Sequence, residues 1–264
     1  MHAFDQDIQL TRLDTDIFTG KISSNWLIHS TSNGGYLMAI VTNAMLHCTE
    51  KKATPVITVN YLSRCIPGDV TLSVKKYSES AGFDRLHVRM SQNGEDKVHA
   101  TGLFSVQREE YSLVRYETKA PEIHPREQSI PIPNISDYTI YDNIDVRLDP
   151  ECSGWITGKS LSEKSELKGW IAFKEPRAFD LTAITLAADA FPPPILASQG
   201  MIAWVPTLEF SVNIRNIPQT QWLKCIFRTR FINCGLLEED GEIWDEKNEL
   251  VAISRQIAQF RPMK

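Results

Sequence analysis

The sequence predicts an α+β fold made of two copies of one unit, a long buried helix followed by about four antiparallel strands. Three observations predict it: two helical runs that are apolar nearly all round, a β-rich region after each, and punctuation that repeats at a fixed offset.

The first helical run, 33–47, opens on Asn33-Gly34-Gly35-Tyr36 and continues almost wholly apolar to Leu46. A helix without a polar face is buried on most sides. The second, 180–191, starts at Asp180, a good N-cap residue, and is stopped by Pro192-Pro193-Pro194.

Four strand-like segments follow the first run: PVITVNYL, DVTLSVKKY, FDRLHVRMS and KVHATGLFSV. Within them Val70, Leu72 and Val74 alternate with Thr71, Ser73 and Lys75, the period of a half-buried strand. TLEFSVNI, WLKCIFRTRF, EEDGEIWD and LVAISRQIAQF follow the second run.

Arg64-x-Ile66-Pro67 recurs 151 residues on as Arg215-x-Ile217-Pro218, and Gly82 and Val98 recur 153 residues on as Gly235 and Val251. One two-residue insertion reconciles the offsets, and the matches come in the same order as the helices and strands. The chain is therefore expected to hold domains at 1–108 and 151–264. A linker at 109–150, with Pro121, Pro125, Pro131 and Pro133, is expected to cross the surface between them. A sheet that wraps a central helix is the hotdog arrangement, so the prediction is a double hotdog. Pairing the two copies edge to edge would cover one open edge on each.

Composition narrows the function. Hydrophobic residues at 42% and charged residues at 23% are ordinary for a globular protein. A net charge of -5 argues against a nucleic-acid or anionic-membrane surface. No apolar run reaches the roughly 18 residues of a membrane helix. The N-terminus carries acids early and has no basic-then-apolar leader, which leads to the expectation of a cytoplasmic protein. Five cysteines without a CxxC pair read as free thiols, and six scattered histidines give no metal-binding spacing, so no metal is expected. No G-x-S-x-G elbow is present, and Gly154 stands one residue too close to Gly158-Lys159-Ser160 for a phosphate loop.

Trp26…Asn33-Gly34-Gly35-Tyr36, Gly169-Trp170-Ile171, Asp189-Ala190-Phe191-Pro192-Pro193, Pro206-Thr207-Leu208-Glu209, Glu239-Asp240-Gly241-Glu242-Ile243-Trp244-Asp245 and Leu250-Val251-Ala252-Ile253-Ser254-Arg255-Gln256 form an ordered set. The set resembles TesB-like acyl-CoA thioesterases over residues of about 20 to 261. That resemblance implies hydrolysis of an acyl-CoA thioester by an activated water, with acyl-CoA as partner and no cofactor beyond the coenzyme A of the substrate. It also implies a carboxylate, a hydroxyl and a Gln that hold the water. Carried over by motif, these fall on Glu209, Thr229 and Gln256, with Glu209 standing where the family usually has Asp.

Gly34, Gly35 and Tyr36 open a helix whose first N–H groups lack intrahelical partners and whose dipole is positive. They are the candidate oxyanion and substrate-binding positions. Exposed sheet edges lead to the expectation of a homo-oligomer. The alternative is a non-hydrolytic double hotdog that binds an acyl group or catalyses dehydration or cyclisation; coenzyme A release separates the two.

Overall fold

In a computed structural model, which describes residues 1–106 and 113–263, the two apolar runs form helices α1 (Gly34–Leu46) and α2 (Leu181–Ala187). Asn33 caps α1, its side-chain oxygen accepting from the Tyr36 N–H at 2.9 Å, and every residue from Gly35 to Thr42 is buried. Asp180 caps α2 by accepting from the Ala183 N–H at 2.9 Å. α2 is shorter than the expected 180–191. Asp189 and Ala190 leave it in a tight turn, donating back three residues to Leu186 and Ala187, and the prolines that follow cannot continue a helix.

The strands used below are β1 (Leu10–Asp14), β2 (Ile17–Ile22), β3 (Ala53–Tyr61), β4 (Gly68–Glu79), β5 (Phe83–Gln92) and β6 (Glu95–Ser105). They continue as β7 (Ile144–Leu148), β8 (Glu166–Phe173), β9 (Thr207–Ile214), β10 (Leu223–Arg228), β11 (Leu236–Asp245) and β12 (Leu250–Gln259). The first half runs β2-β4-β5-β6-β3 across the sheet and the second β8-β10-β11-β12-β9, the same order of corresponding strands. β3 and β9 pair antiparallel, Val56–Asn60 against Glu209–Asn213, so the halves share one continuous antiparallel sheet as expected. The hydroxyls of Thr58 and Ser211 meet at 3.0 Å on this seam.

Alternation drives the wrapping. Ile57 and Val59, then Val70, Leu72 and Val74, then Leu86, Val88 and Met90, are buried beneath α1. Each such side chain is worth roughly 1.5–3 kcal/mol when fully removed from water.

The expected linker 109–150 needs correction. Its start, and the domain boundary expected at 108, fall on residues 107–112, outside the described residues, as does Lys264. Its end is sheet: β7 pairs with β8, and Ile130–Pro131 pairs with β7 in turn. Ile144, Val146 and Leu148 are buried while Asp145 and Arg147 are not. That is a strand alternation the surrounding prolines and charges obscured.

Candidate active site

The junction where the two helices meet begins with a glycine pair. A Cβ on Gly35 would stand 2.8 Å from the Thr185 carbonyl oxygen and from Asp189 Cβ, and 2.9 Å from the Leu186 carbonyl oxygen. A Cβ on Gly34 would stand 2.8 Å from Asp189 Oδ2. Only glycine lets the start of α1 reach the end of α2 at this distance.

Asp189 fills the junction. Its Oδ2 accepts from the Gly35 N–H at 2.8 Å and from the Asn33 side-chain amide at 3.1 Å, and the same amide bonds the Asp189 backbone carbonyl at 2.9 Å. The Tyr61 hydroxyl donates to the Gly34 carbonyl at 2.7 Å and fixes the first turn. Desolvation between the helix ends pushes the Asp189 carboxyl up to about 6, against the pull of the Gly35, Asn33 and Gly34 donors. A half-buried carboxylate poised near neutrality is suited to take a proton.

The opposite wall comes from the sheet. Gln256 on β12 is buried, 8% exposed, and its Oε1 accepts from the Thr207 hydroxyl at 2.6 Å. Glu239 on β11, the direct cross-strand partner of Gln256, is also buried. Its carboxyl is raised well above the ordinary range by burial; a hydrogen bond from Gln256 opposes this, and the nearby Asp189 charge adds to it.

Among the sequence-derived candidates, Gln256, Gly34 and Gly35 come together here. Glu209 does not. A register shift between Thr207 and Glu209 and the inward set Phe210, Val212 and Ile214 leave the Glu209 side chain on the exposed outer face. Thr229 is buried beyond the end of β10, its hydroxyl without a protein partner, and the hydroxyl that meets Gln256 belongs to Thr207. Tyr36 is a core strut rather than a substrate contact. Its N–H serves the Asn33 cap, its hydroxyl donates to the Asp7 carbonyl and accepts from the Ser23 N–H, and its ring stacks on Trp26. The Gly35 N–H, a candidate oxyanion donor, is occupied by Asp189. Sequence reasoning missed Asp189, Thr207 and Glu239. All three lie inside the motifs given above, and for Asp189 an Asp among the alanines and prolines of LAADAFPPP was the available signal.

Two hotdog units sharing one sheet, with a polar junction between their helices, define a double-hotdog protein. The acyl-CoA thioesterase N-terminal domain matches residues 22–105 and the acyl-CoA thioesterase C-terminal domain matches 117–260. The chain therefore belongs to the acyl-CoA thioesterase family and is TesB-like. Among solved structures it is similar to a provisionally assigned thioesterase II from Thermobifida fusca YX, with 22% identity, 98% of each chain covered and a TM-score of 0.90. A conserved protein of unknown function with a hot dog fold from Alicyclobacillus acidocaldarius gives 20% identity, full coverage of both chains (100%) and a TM-score of 0.90. An acyl-CoA thioesterase II, TesB2, from Mycobacterium marinum gives 16%, 99% of each chain and 0.78. These likenesses show the fold. No curated protein matches the chain.

Proposed function

We propose that the protein hydrolyses acyl-CoA thioesters with a water held between Asp189 and the Thr207–Gln256 pair. The observation that carries this reading is the Asp189 carboxylate, pinned by the Gly35 N–H at the helix junction and close enough to act on the charge of Glu239, the cross-strand partner of the Gln256 that Thr207 bonds. Asp189 takes a proton from the water as its oxygen attacks the thioester carbonyl. Charge then develops on the acyl oxygen beside the positive end of α1 and the Gln256 amide. Collapse of the tetrahedral intermediate breaks the C–S bond, and the thiolate recovers the proton from Asp189. The products are a free acid and coenzyme A.

No residue in this scheme calls for a metal or added cofactor, so chelation should leave turnover unchanged. Among the described residues no helix is long and apolar enough to cross a membrane. We place the enzyme in the cytoplasm as a homo-oligomer, the latter to be checked by light scattering.

The test is coenzyme A release over a panel of acyl chain lengths, for the parent, Asp189→Asn, Gln256→Ala and Glu209→Gln. A general base contributes about 10²–10⁴-fold, so Asp189→Asn should fall within that range. Glu209→Gln should match the parent. If no acyl-CoA is turned over although it binds, the hydrolytic reading fails and the acyl-binding alternative takes its place.

A further inference from the structure

Along β11 the inward positions are Leu237, Glu239, Gly241 and Ile243, while Glu238, Asp240 and Glu242 alternate on the other side. Glu239 is thus a carboxyl in an apolar row, 6% exposed. An isolated carboxylate buried in this way is costly unless a cation or several donors meet it. Among the described residues the charges that act on it are all acidic: Asp189 at the end of α2, and Glu238 and Asp240 beside it on its own strand but turned to the other face. Arg230 and Arg255 are occupied with Glu238 and Asp240. From β12 it meets only the Gln256 amide, and from β10 the next register step beyond Arg228–Asp240 brings Thr229, whose buried hydroxyl has no protein partner.

We propose that Glu239 is a second, uncharged carboxyl of the site, a positioning residue that carries Gln256 and leaves Asp189 as the single carboxylate the reaction meets. This rests on the hydrolytic role of Asp189 and Gln256 given above. A neutral Glu239 accepts from the Gln256 amide through its carbonyl oxygen and keeps an O–H to donate. Once ionised, it sets a second negative charge near Asp189 and near the charge that develops on the acyl oxygen. Both effects oppose turnover, so the rate should fall on the alkaline side through the ionisation of Glu239. Two interacting carboxyls in one crevice then titrate as a pair, one proton apart.

The test compares the pH dependence of kcat in the parent and in Glu239→Gln, which is close in shape and keeps an acceptor for Gln256. The parent should give a bell, and E239Q should keep the acid limb and lose the alkaline one. Glu239→Ala should lower kcat on the order of 10-fold with little change in KM, the scale of one lost buried hydrogen bond, and E239Q should restore it. Difference infrared spectra supply a readout independent of turnover: a protonated-carboxyl C=O band present at pH 7 and missing in E239Q. An alkaline limb that survives in E239Q, or no such band at pH 7, overturns the proposal. If the parent releases no coenzyme A, the hydrolytic reading has failed, and the infrared band alone decides the state of Glu239.

Discussion

Asp189→Asn removes one charge from the crevice and keeps the shape and an acceptor for the Gly35 N–H. Holding this carboxyl at about 6 instead of its ordinary 3.8 costs the folded protein up to about 3 kcal/mol, at 1.36 kcal/mol per pH unit. The sign follows from proton counting. Below about 3.8 the folded and unfolded chains both hold the proton, and the penalty is absent. As pH rises from there the unfolded chain releases its proton first, so stability falls until the folded carboxyl ionises near 6 and is level thereafter. The Asn variant escapes this loss. It should therefore be more stable than the parent by up to about 3 kcal/mol at pH 8 and by about half that at pH 5. In thermal unfolding the pH 8 difference corresponds to roughly 6–12 °C in Tm for a chain of this size. Coenzyme A release measured on the same samples should be down by about 10²–10⁴-fold. A variant less stable than the parent at pH 8, or a stability gap equal at pH 5 and pH 8, would refute the reasoning about the carboxyl. Undiminished turnover would refute its role as base.

Three further outcomes are expected. The parent's kcat should decline as pH drops through about 6, where Asp189 is protonated, and a flat acid limb in steady-state assays would contradict this. Thr207→Val removes the donor to Gln256 Oε1 and should cost about 1–3 kcal/mol of transition-state stabilisation, while Thr229→Val leaves kcat within about twofold. Gly35→Ala drives a methyl into backbone oxygens of the other helix and should destabilise by about 1–3 kcal/mol in urea titration, with loss of activity.

Most of the fold was legible because its signals are local. The segment TLEFSVNI is β9 residue for residue, and the offset of 153 between Gly82 and Gly235 is the offset between the turns that open β5 and β11. The site was legible only where a residue stands out in its own segment, as a glycine pair at a helix start or a Gln on the last strand. Gln256 and the Gly34–Gly35 pair were found. Asp189 was not, because its partner Gly35 lies 154 residues away in the other half and nothing near Asp189 in sequence reports it. Thr207 was hidden by the irregular register before Glu209, which breaks the alternation and turns both Leu208 and Glu209 outward. Glu239 was masked by Glu238 and Asp240, although the row Leu237, Glu239, Gly241, Ile243 had the inward period on display.

The two halves also treat their buried carboxyls in opposite ways. On the inner face of β5 in the first half, Asp84 is as buried as Glu239, and burial alone would raise it. Lys51 at 2.6 Å, the Thr49 hydroxyl at 2.6 Å and Lys76 at 3.3 Å override burial and hold it below its ordinary range. Such a group is ionised, satisfied and closed to chemistry. In the second half the corresponding sheet face offers Glu239 no cation, and the crevice offers Asp189 only backbone and amide donors. Both are left above their ordinary range, which puts Asp189, at about 6, in reach of a proton exchange near neutral pH. The last strand of the first half presents Val98, Ala100, Gly102 and Phe104 inward, with no counterpart to Gln256. One half thus satisfies its buried Asp84 with lysine and fills its interior with hydrocarbon. The other half holds Glu239 and Asp189 without a cation among the described residues, beside Gln256, and it is there that the proposed chemistry is placed.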